Sequence, residues 1–375
     1  MTMLFRSWQS TTALILCLVA LTRLPLLHPE ATAPFSTGTT AAILLLIVVG
    51  ALASAMRLPA MMSAGILLVT AHVGAWLLIT GITGNEGHAS LSFFLLIAAC
   101  WLLGWRCISV LAGLNPRSRG SALALRLLIP AIFGAWILIL WEAITRGSGV
   151  PFILLPPPSA IWARIAGSVP ILAADVRQTI FKAVLFGYVV GCVAGFVVAI
   201  LADRVTFLRR GLLPIGNLMS ALPIIGVAPI MVMWFGFDWQ SKAAVVIVMT
   251  FFLMLVNTVA GLGASGAMER DLMRSYASDY WQTLIKLRLP AAMPFIFNAL
   301  KINSTLALIG AIVAEFFGTP IVGMGFRIST EIGRMNVDMV WAEIAVAAVI
   351  GSVFYGVIAL AERATTFWHP SNRGG

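Results

Sequence analysis

Residues 243–268 run from Ala243 to Met268 without a charged side chain, and within a dozen residues the chain turns into one of its most charged stretches. A bilayer needs about 20 apolar residues per helical crossing, so the first stretch can span one. The second cannot. Arg270, Asp271, Arg274, Asp279, Lys286 and Arg288 fall within or beside DLMRSYASDYWQTLIKLRLP, residues 271–290. At about 2.5 to 3.5 kcal/mol per charge near mid-bilayer, burying all six would cost about 15 to 20 kcal/mol. The segment stays at the membrane surface, between two crossings.

The rest of the chain repeats the apolar theme. Of 375 residues 60% are hydrophobic and only 10% charged, against about a quarter charged in soluble proteins, which predicts an all-α polytopic membrane protein. The formal charge of +10 comes from Lys and Arg scattered between apolar runs, so loop anchoring accounts for it better than nucleic-acid binding. Cys17, Cys100, Cys107 and Cys192 lie in or beside apolar segments without metal-ligand spacing, and His72 and His88 are isolated. No metal site is expected. Met1 to Leu27 resembles a signal peptide in its Arg6 and apolar stretch, but Arg23 interrupts it and no clear cleavage site follows, which favours a retained span.

Apolar runs predict crossings near 10–28, 40–56, 61–81, 90–112, 126–144, 179–202, 212–235, 243–264, 291–314 and 340–361. With the N-terminus inside, most basic residues fall in inside loops, so both termini and residues 271–290 are expected in the cytoplasm. The linker LNPRSRGSA, residues 114–122, marks a boundary between an N-terminal region, 1–122, and a more patterned region, 123–375. No internal repeat is evident, which weakens an inverted-repeat secondary carrier.

Within 271–290, Leu272, Met273, Tyr276, Ala277, Tyr280, Trp281, Leu284 and Ile285 recur at three- and four-residue steps, predicting one amphipathic helix. Asp271 suits its N-terminal end, and Pro290 can open the helix that follows. Such a helix could rest on lipid headgroups or dock a cytoplasmic partner. In the span from 179, Gly187, Gly191 and Gly195 place small residues on one face, which suits close helix packing. Pro214, Pro223, Gly226 and Pro229 interrupt the span from 212, as in broken helices lining a pathway or in packing kinks. Ser220, Asn257, Asn298, Asn303, Ser304, Thr305 and Glu315 are polar within core spans, and are candidates for a translocation pathway or for interhelical hydrogen bonds. Lys182 and Lys301 could snorkel or pair with carboxylates.

Residues 271–290 resemble the cytoplasmic loop of binding-protein-dependent ABC importer permeases, patterned EAA, three residues, Gly, nine residues, Ile, one residue, Leu-Pro. Asp271-Leu272-Met273 stand for EAA, Ala277 for Gly, Leu287 for Ile, and Leu289-Pro290 match. LLPPPSAIW (154–162), SALPIIGVAPIMVMWFGF (220–237), LVNTVAGL (255–262), LPAAMPFIFNALKI (289–302) and VAEFFG (313–318) followed by GMGF are similar to the nitrate/sulfonate/taurine branch. The resemblance covers about 123–364. It implies a six-helix type I permease core at 123–375, preceded by about four additional transmembrane helices.

It also implies a coupling helix near 271–288 that docks on a separate ABC ATPase subunit. Tyr276, Tyr280 and Trp281 would be its buried anchors, with Asp271, Arg274, Asp279 and Lys286 orienting the contact and Ala277, Leu289 and Pro290 completing the motif. The chain has no GxxxxGK[ST] loop, so no cofactor is expected in it, with ATP and magnesium on the partner ATPase. A periplasmic binding protein, a second permease copy and membrane lipid are the other implied partners, in a bacterial inner membrane. The implied solute is sulfonate-, nitrate- or taurine-like, with a pyrimidine precursor or flavin as the alternative. An ion-coupled carrier or channel is the competing function.

Overall fold

A computed structural model describes residues 7–31, 35–56, 58–116, 118–219, 223–318 and 321–368. The described elements are all helical, apart from one isolated antiparallel bridge between Leu27 and Ala89. The chain forms two compact units that divide between Trp162 and Ala163.

The first unit contains α1 (Trp8–Leu21), α2 (Thr37–Ala55), α3 (Ala60–Ile82), α4 (Leu91–Ala112) and α5 (Arg119–Gly147), with α4 against all four others. Its core is aliphatic, with Ile43, Ile47, Leu67, Leu78, Leu96 and Leu103 buried around Phe93. α5 docks through Trp136, whose indole occupies the space a side chain at Gly104 would fill. Packing therefore carries the compact unit past the linker at 114–122, because the face of α5 that includes Ile132, Trp136 and Ala143 is buried in this core.

α6 (Pro158–Gly167) crosses the division, and the second unit continues with α7 (Val169–Val176), a π-helical stretch Arg177–Val184, α8 (Leu185–Arg204), α9 (Thr206–Met219), α10 (Ile224–Phe235) and α11 (Trp239–Leu262). Next come α12 (Ala267–Ser275), α13 (Tyr280–Thr283), a second π stretch Leu284–Arg288, α14 (Leu289–Glu315), α15 (Met324–Gly333) and α16 (Val337–Thr365). Helices α8, α11 and α14 form its centre. Gly187, Gly191 and Gly195 all face α11: a Cβ on Gly187 would lie 2.6 Å from that of Val246, and one on Gly195 would lie 2.5 Å from the Phe251 carbonyl. Loss of these side chains lets two backbones approach.

Eight helical runs among the described residues are long and apolar enough to cross a membrane: Thr37–Ala55, Ala60–Ile82, Leu91–Ala112, Arg119–Gly147, Val169–Arg204, Trp239–Leu262, Tyr280–Glu315 and Val337–Thr365. The expectation of ten is corrected at two places. α1 has 14 residues and rises only about 21 Å, short of the hydrocarbon core of about 30 Å. The span expected at 212–235 is split into α9 and α10, with Pro223 at the entry to α10, where its ψ of 120° is extended and its missing N–H costs nothing before the first turn.

Candidate functional site

The charged segment at 271–290 is an elbow rather than the single helix that periodicity predicts. α12 ends at Ser275 because the backbone turns left-handed at Ala277, φ +53°. Ser278 N–H then donates to the Met273 carbonyl at 3.0 Å and Ala277 N–H to that of Arg274 at 2.9 Å, the paired bonds of a Schellman termination. Such a position favours glycine, since a Cβ is crowded there. This gives a physical reason for Gly in the pattern to which Ala277 is aligned. Two residues on, Asp279 restarts the helix by accepting from Gln282 N–H at 2.6 Å, while the Gln282 side chain accepts from Asp279 N–H at 3.3 Å.

From Tyr280 the chain is helical through to Glu315. Pro290 lies in the first turn of α14, but Arg288 before it is already helical, so the proline sits inside a continuous run instead of opening a separate one. The π stretch precedes it, with Leu289 N–H bonded to the Leu284 carbonyl five residues back.

Asp203, at the end of α8, ties the elbow down. Its carboxylate is 3% exposed and accepts both terminal nitrogens of Arg288 at 2.7 Å, and Tyr280 Oη donates to it at 3.1 Å. Arg288 Nε also donates to the Leu262 carbonyl at 3.0 Å, so one guanidinium joins the ends of α8 and α11 to the start of α14. Arg204 stacks over Tyr280 and Trp281, 5.3 and 5.8 Å from the ring centroids.

The predicted coupling residues thus separate into two sets. Tyr280, Asp279 and Leu289 are engaged within the chain, while Asp271 and Arg274 pair with each other at 3.2 Å on the surface, and Lys286 is exposed. Tyr276 (77% exposed) and Trp281 (50%) stand out with Met268, Leu272 and Ile285 as an uncovered apolar surface.

At the other end of α11, roughly 36 Å away for its 24 residues, a buried polar cluster joins α7, the π stretch Arg177–Val184, α14, α15 and α16. Glu315, at the end of α14, accepts from Thr179 Oγ1 and from Gly325 N–H, both at 2.7 Å. Asp175 of α7 accepts from Gly323 N–H at 2.7 Å and pairs with Arg327 Nε at 2.9 Å. That hydrogen bond and charge hold the Arg327 guanidinium above its ordinary pKa. Gly323 adopts φ +144°, and a Cβ there would strike the Glu315 carboxylate at 2.8 Å. The two short motifs VAEFFG and GMGF are therefore bonded to each other. Glu343 of α16 is buried beside Asp175 and Arg327. Lys242 is 1% exposed, its ammonium donating to the carbonyls of Phe237 (2.6 Å) and Gly318.

The remaining pathway candidates are not gathered in one place. Asn303 is fully buried and donates to the Thr250 carbonyl at 3.0 Å and Cys192 Sγ at 3.3 Å, and Ser304 donates to Lys301 O at 2.7 Å. Asn257 donates to its own helix at Leu253 O, 2.8 Å. Asn298 and Thr305 lie on the exposed face of α14 with Phe295, Ile302 and Ile309. Ser220 lies outside the described residues. Lys301 pairs with Glu362 at 2.7 Å, whereas Lys182 bonds the neutral amide of Gln178 at 2.9 Å. Sequence reading missed Asp175, Asp203, Arg327 and Glu343, whose partners are distant in the chain, and Lys242, which bonds Phe237 nearby as well as Gly318.

Residues 187–367 match the family described as binding-protein-dependent transport system inner membrane component. The chain is 27% identical to the formylaminopyrimidine transport permease of Halalkalibacterium halodurans, over 64% of this chain and 95% of that protein. It is 27% identical to the riboflavin transport system permease of Chloroflexus aurantiacus, over 63% and 88%. It is also 28% identical to a putative aliphatic sulfonates transport permease of Bacillus subtilis, over 66% and 88%. The family match takes in nearly all of the α8–α11–α14 centre, the elbow and the Glu315, Gly323, Gly325 and Arg327 side of the buried cluster, while Asp175 and Thr179 precede it. Through residues 187–367 this multi-pass inner-membrane protein carries the binding-protein-dependent transport domain of ABC importer permeases.

Proposed function

We propose that the elbow at 267–288 is the surface on which a separate ABC ATPase subunit acts, and that α8, α11 and α14 carry its movement to the opposite end. The supporting observation is the Asp203–Arg288 pair, which couples an exposed segment to the ends of three long helices. Tyr276 and Trp281 offer the ATPase large apolar side chains, with Met268, Leu272 and Ile285 around them. ATP and magnesium are held by that subunit. The elbow faces the cytoplasm with both termini, and the end carrying Glu315 and Gly323 faces a periplasmic binding protein.

A second copy of the chain completes the transporter, and lipid surrounds it. The solute passes by alternating access, driven by opening and closing of the ATPases. Sulfonate-, nitrate- or taurine-like compounds, pyrimidine precursors and flavins are the solute classes in view. Reconstitution with the ATPase and binding protein tests this reading. Uptake that needs internal ATP and the binding protein supports it, and uptake driven by a proton or sodium gradient alone refutes it.

A further inference from the structure

A cavity of about 960 Å³ opens at the end of the second unit opposite the elbow, lined in part by Ala174, Arg177, Gln178, Lys182, Phe237 and Asp238. Its two cations come from the π stretch Arg177–Val184. In an α-helix residues five apart point about 140° away from each other around the axis. The i to i+5 turn of a π-helix returns them toward one face. The irregular turn thus has a consequence: Arg177 and Lys182 line the same space.

Their engagement differs. Lys182 Nζ donates to Gln178 Oε1 at 2.9 Å, and Gln178 Nε2 donates to Asp238 Oδ1 at 2.8 Å. Asp238 also takes the Trp239 N–H at 2.8 Å. Burial works against its charge, but these two hydrogen bonds and the nearby Lys182 and Lys242 hold its carboxyl below the ordinary range, so it is ionised at neutral pH. Arg177 makes no side-chain hydrogen bond or ion pair among the described residues, so its guanidinium fork is open to the cavity. Two cations against one carboxylate leave the lining with one excess positive charge. Asp175 and Glu315 do not line the cavity, and they are engaged elsewhere, Asp175 with Arg327 and Glu315 with Thr179 and Gly325.

We infer that this cavity is a binding site for a small solute bearing one oxyanion, a carboxylate, sulfonate or phosphate, held by the free fork of Arg177 with Lys182 beside it. The planar guanidinium pairs two N–H donors with two oxygens of such a group. The inference rests on the importer reading, since it makes the cavity the place where an incoming solute is met, but its test does not require transport.

Ala174 is exposed at the cavity, and the four native cysteines are buried, so Ala174→Cys places a reporter thiol there, with Ala173→Cys as a second position. The full chain, assembled with its ATPase in nanodiscs, is treated with an anionic (sulfonatoethyl) or a cationic (trimethylammonioethyl) methanethiosulfonate. Each rate is divided by that of free cysteine. The expected result is about a tenfold preference for the anionic reagent, the lower end of what a charged cleft produces. It should persist in R177K and fall toward parity in R177Q/K182Q. Equal rates, a cationic preference, a preference unmoved by R177Q/K182Q, or no reaction at either position would overturn the site. If the preference holds while ATP-driven uptake is absent, the site stands and the importer reading falls; the reverse result removes the site alone.

Discussion

Arg288 meets Asp203 through two parallel hydrogen bonds of 2.7 Å, at the point where the elbow leaves the helical core. The Asp203 carboxylate is nearly enclosed and Arg288 is 17% exposed, so removing one partner leaves the other charge poorly solvated. Asp203→Ala is expected to destabilise the chain by about 3 to 5 kcal/mol, seen as a lower thermal midpoint in detergent. The double variant Asp203→Ala/Arg288→Leu should recover part of that stability, and its complex with the ATPase should hydrolyse ATP without matching uptake. Full coupling in the double variant would separate this pair from the transmission of movement.

Ala277 holds a left-handed conformation that disfavours a side chain by about 1 to 2 kcal/mol. Ala277→Gly is expected to stabilise the elbow, offset in part by the extra freedom of glycine in the unfolded chain. Ala277→Val should destabilise it. Hydrogen exchange at Tyr276 to Asp279 checks both, with slower exchange in the glycine variant and faster exchange in the valine variant.

The elbow shows what the sequence could and could not reveal. Charge density alone placed 271–290 outside the bilayer, and the long runs that became α2, α3, α4, α8, α11, α14 and α16 were readable from hydropathy. The break at Ala277 was hidden because Tyr276 and Tyr280 keep a four-residue step whether or not the helix continues. A Schellman turn usually announces itself by glycine, and this chain carries alanine there. Asp203 and Arg288 lie 85 residues apart, and no local pattern pairs them. The buried cluster was half visible: Glu315 stood out as a charge in an apolar span, while Asp175, Arg327 and Glu343 looked like ordinary residues near helix ends.

Glu315 uses one oxygen for Thr179 and the other for the Gly325 amide. Glu315→Gln keeps one acceptor and replaces the other with a donor facing a donor. About 1 to 3 kcal/mol of stability should be lost. Glu315→Ala, which leaves Thr179 and Gly325 both without this acceptor, should cost more. A thermal midpoint for Glu315→Gln equal to that of the parent chain would contradict the geometry.

Gly191 lies where a Cβ would come within 2.8 Å of the Ile247 carbonyl and against Thr250. Gly191→Val is expected to push α8 from α11, costing about 1 to 3 kcal/mol or more. Size-exclusion profiles should show aggregation for Gly191→Val and a milder change for Gly191→Ala.

The elbow's role is tested most directly at Tyr276 and Trp281, which are exposed and, unlike Tyr280, outside the Asp203 network. Tyr276→Glu/Trp281→Glu should cost the isolated chain no more than about 1 kcal/mol of stability, the worth of the exposed Arg204 contact with Trp281. Affinity purification of the chain with its ATPase is the measurement. Loss of the ATPase from the double variant is the predicted result, and an intact complex with undiminished solute-stimulated ATP hydrolysis would contradict the coupling assignment.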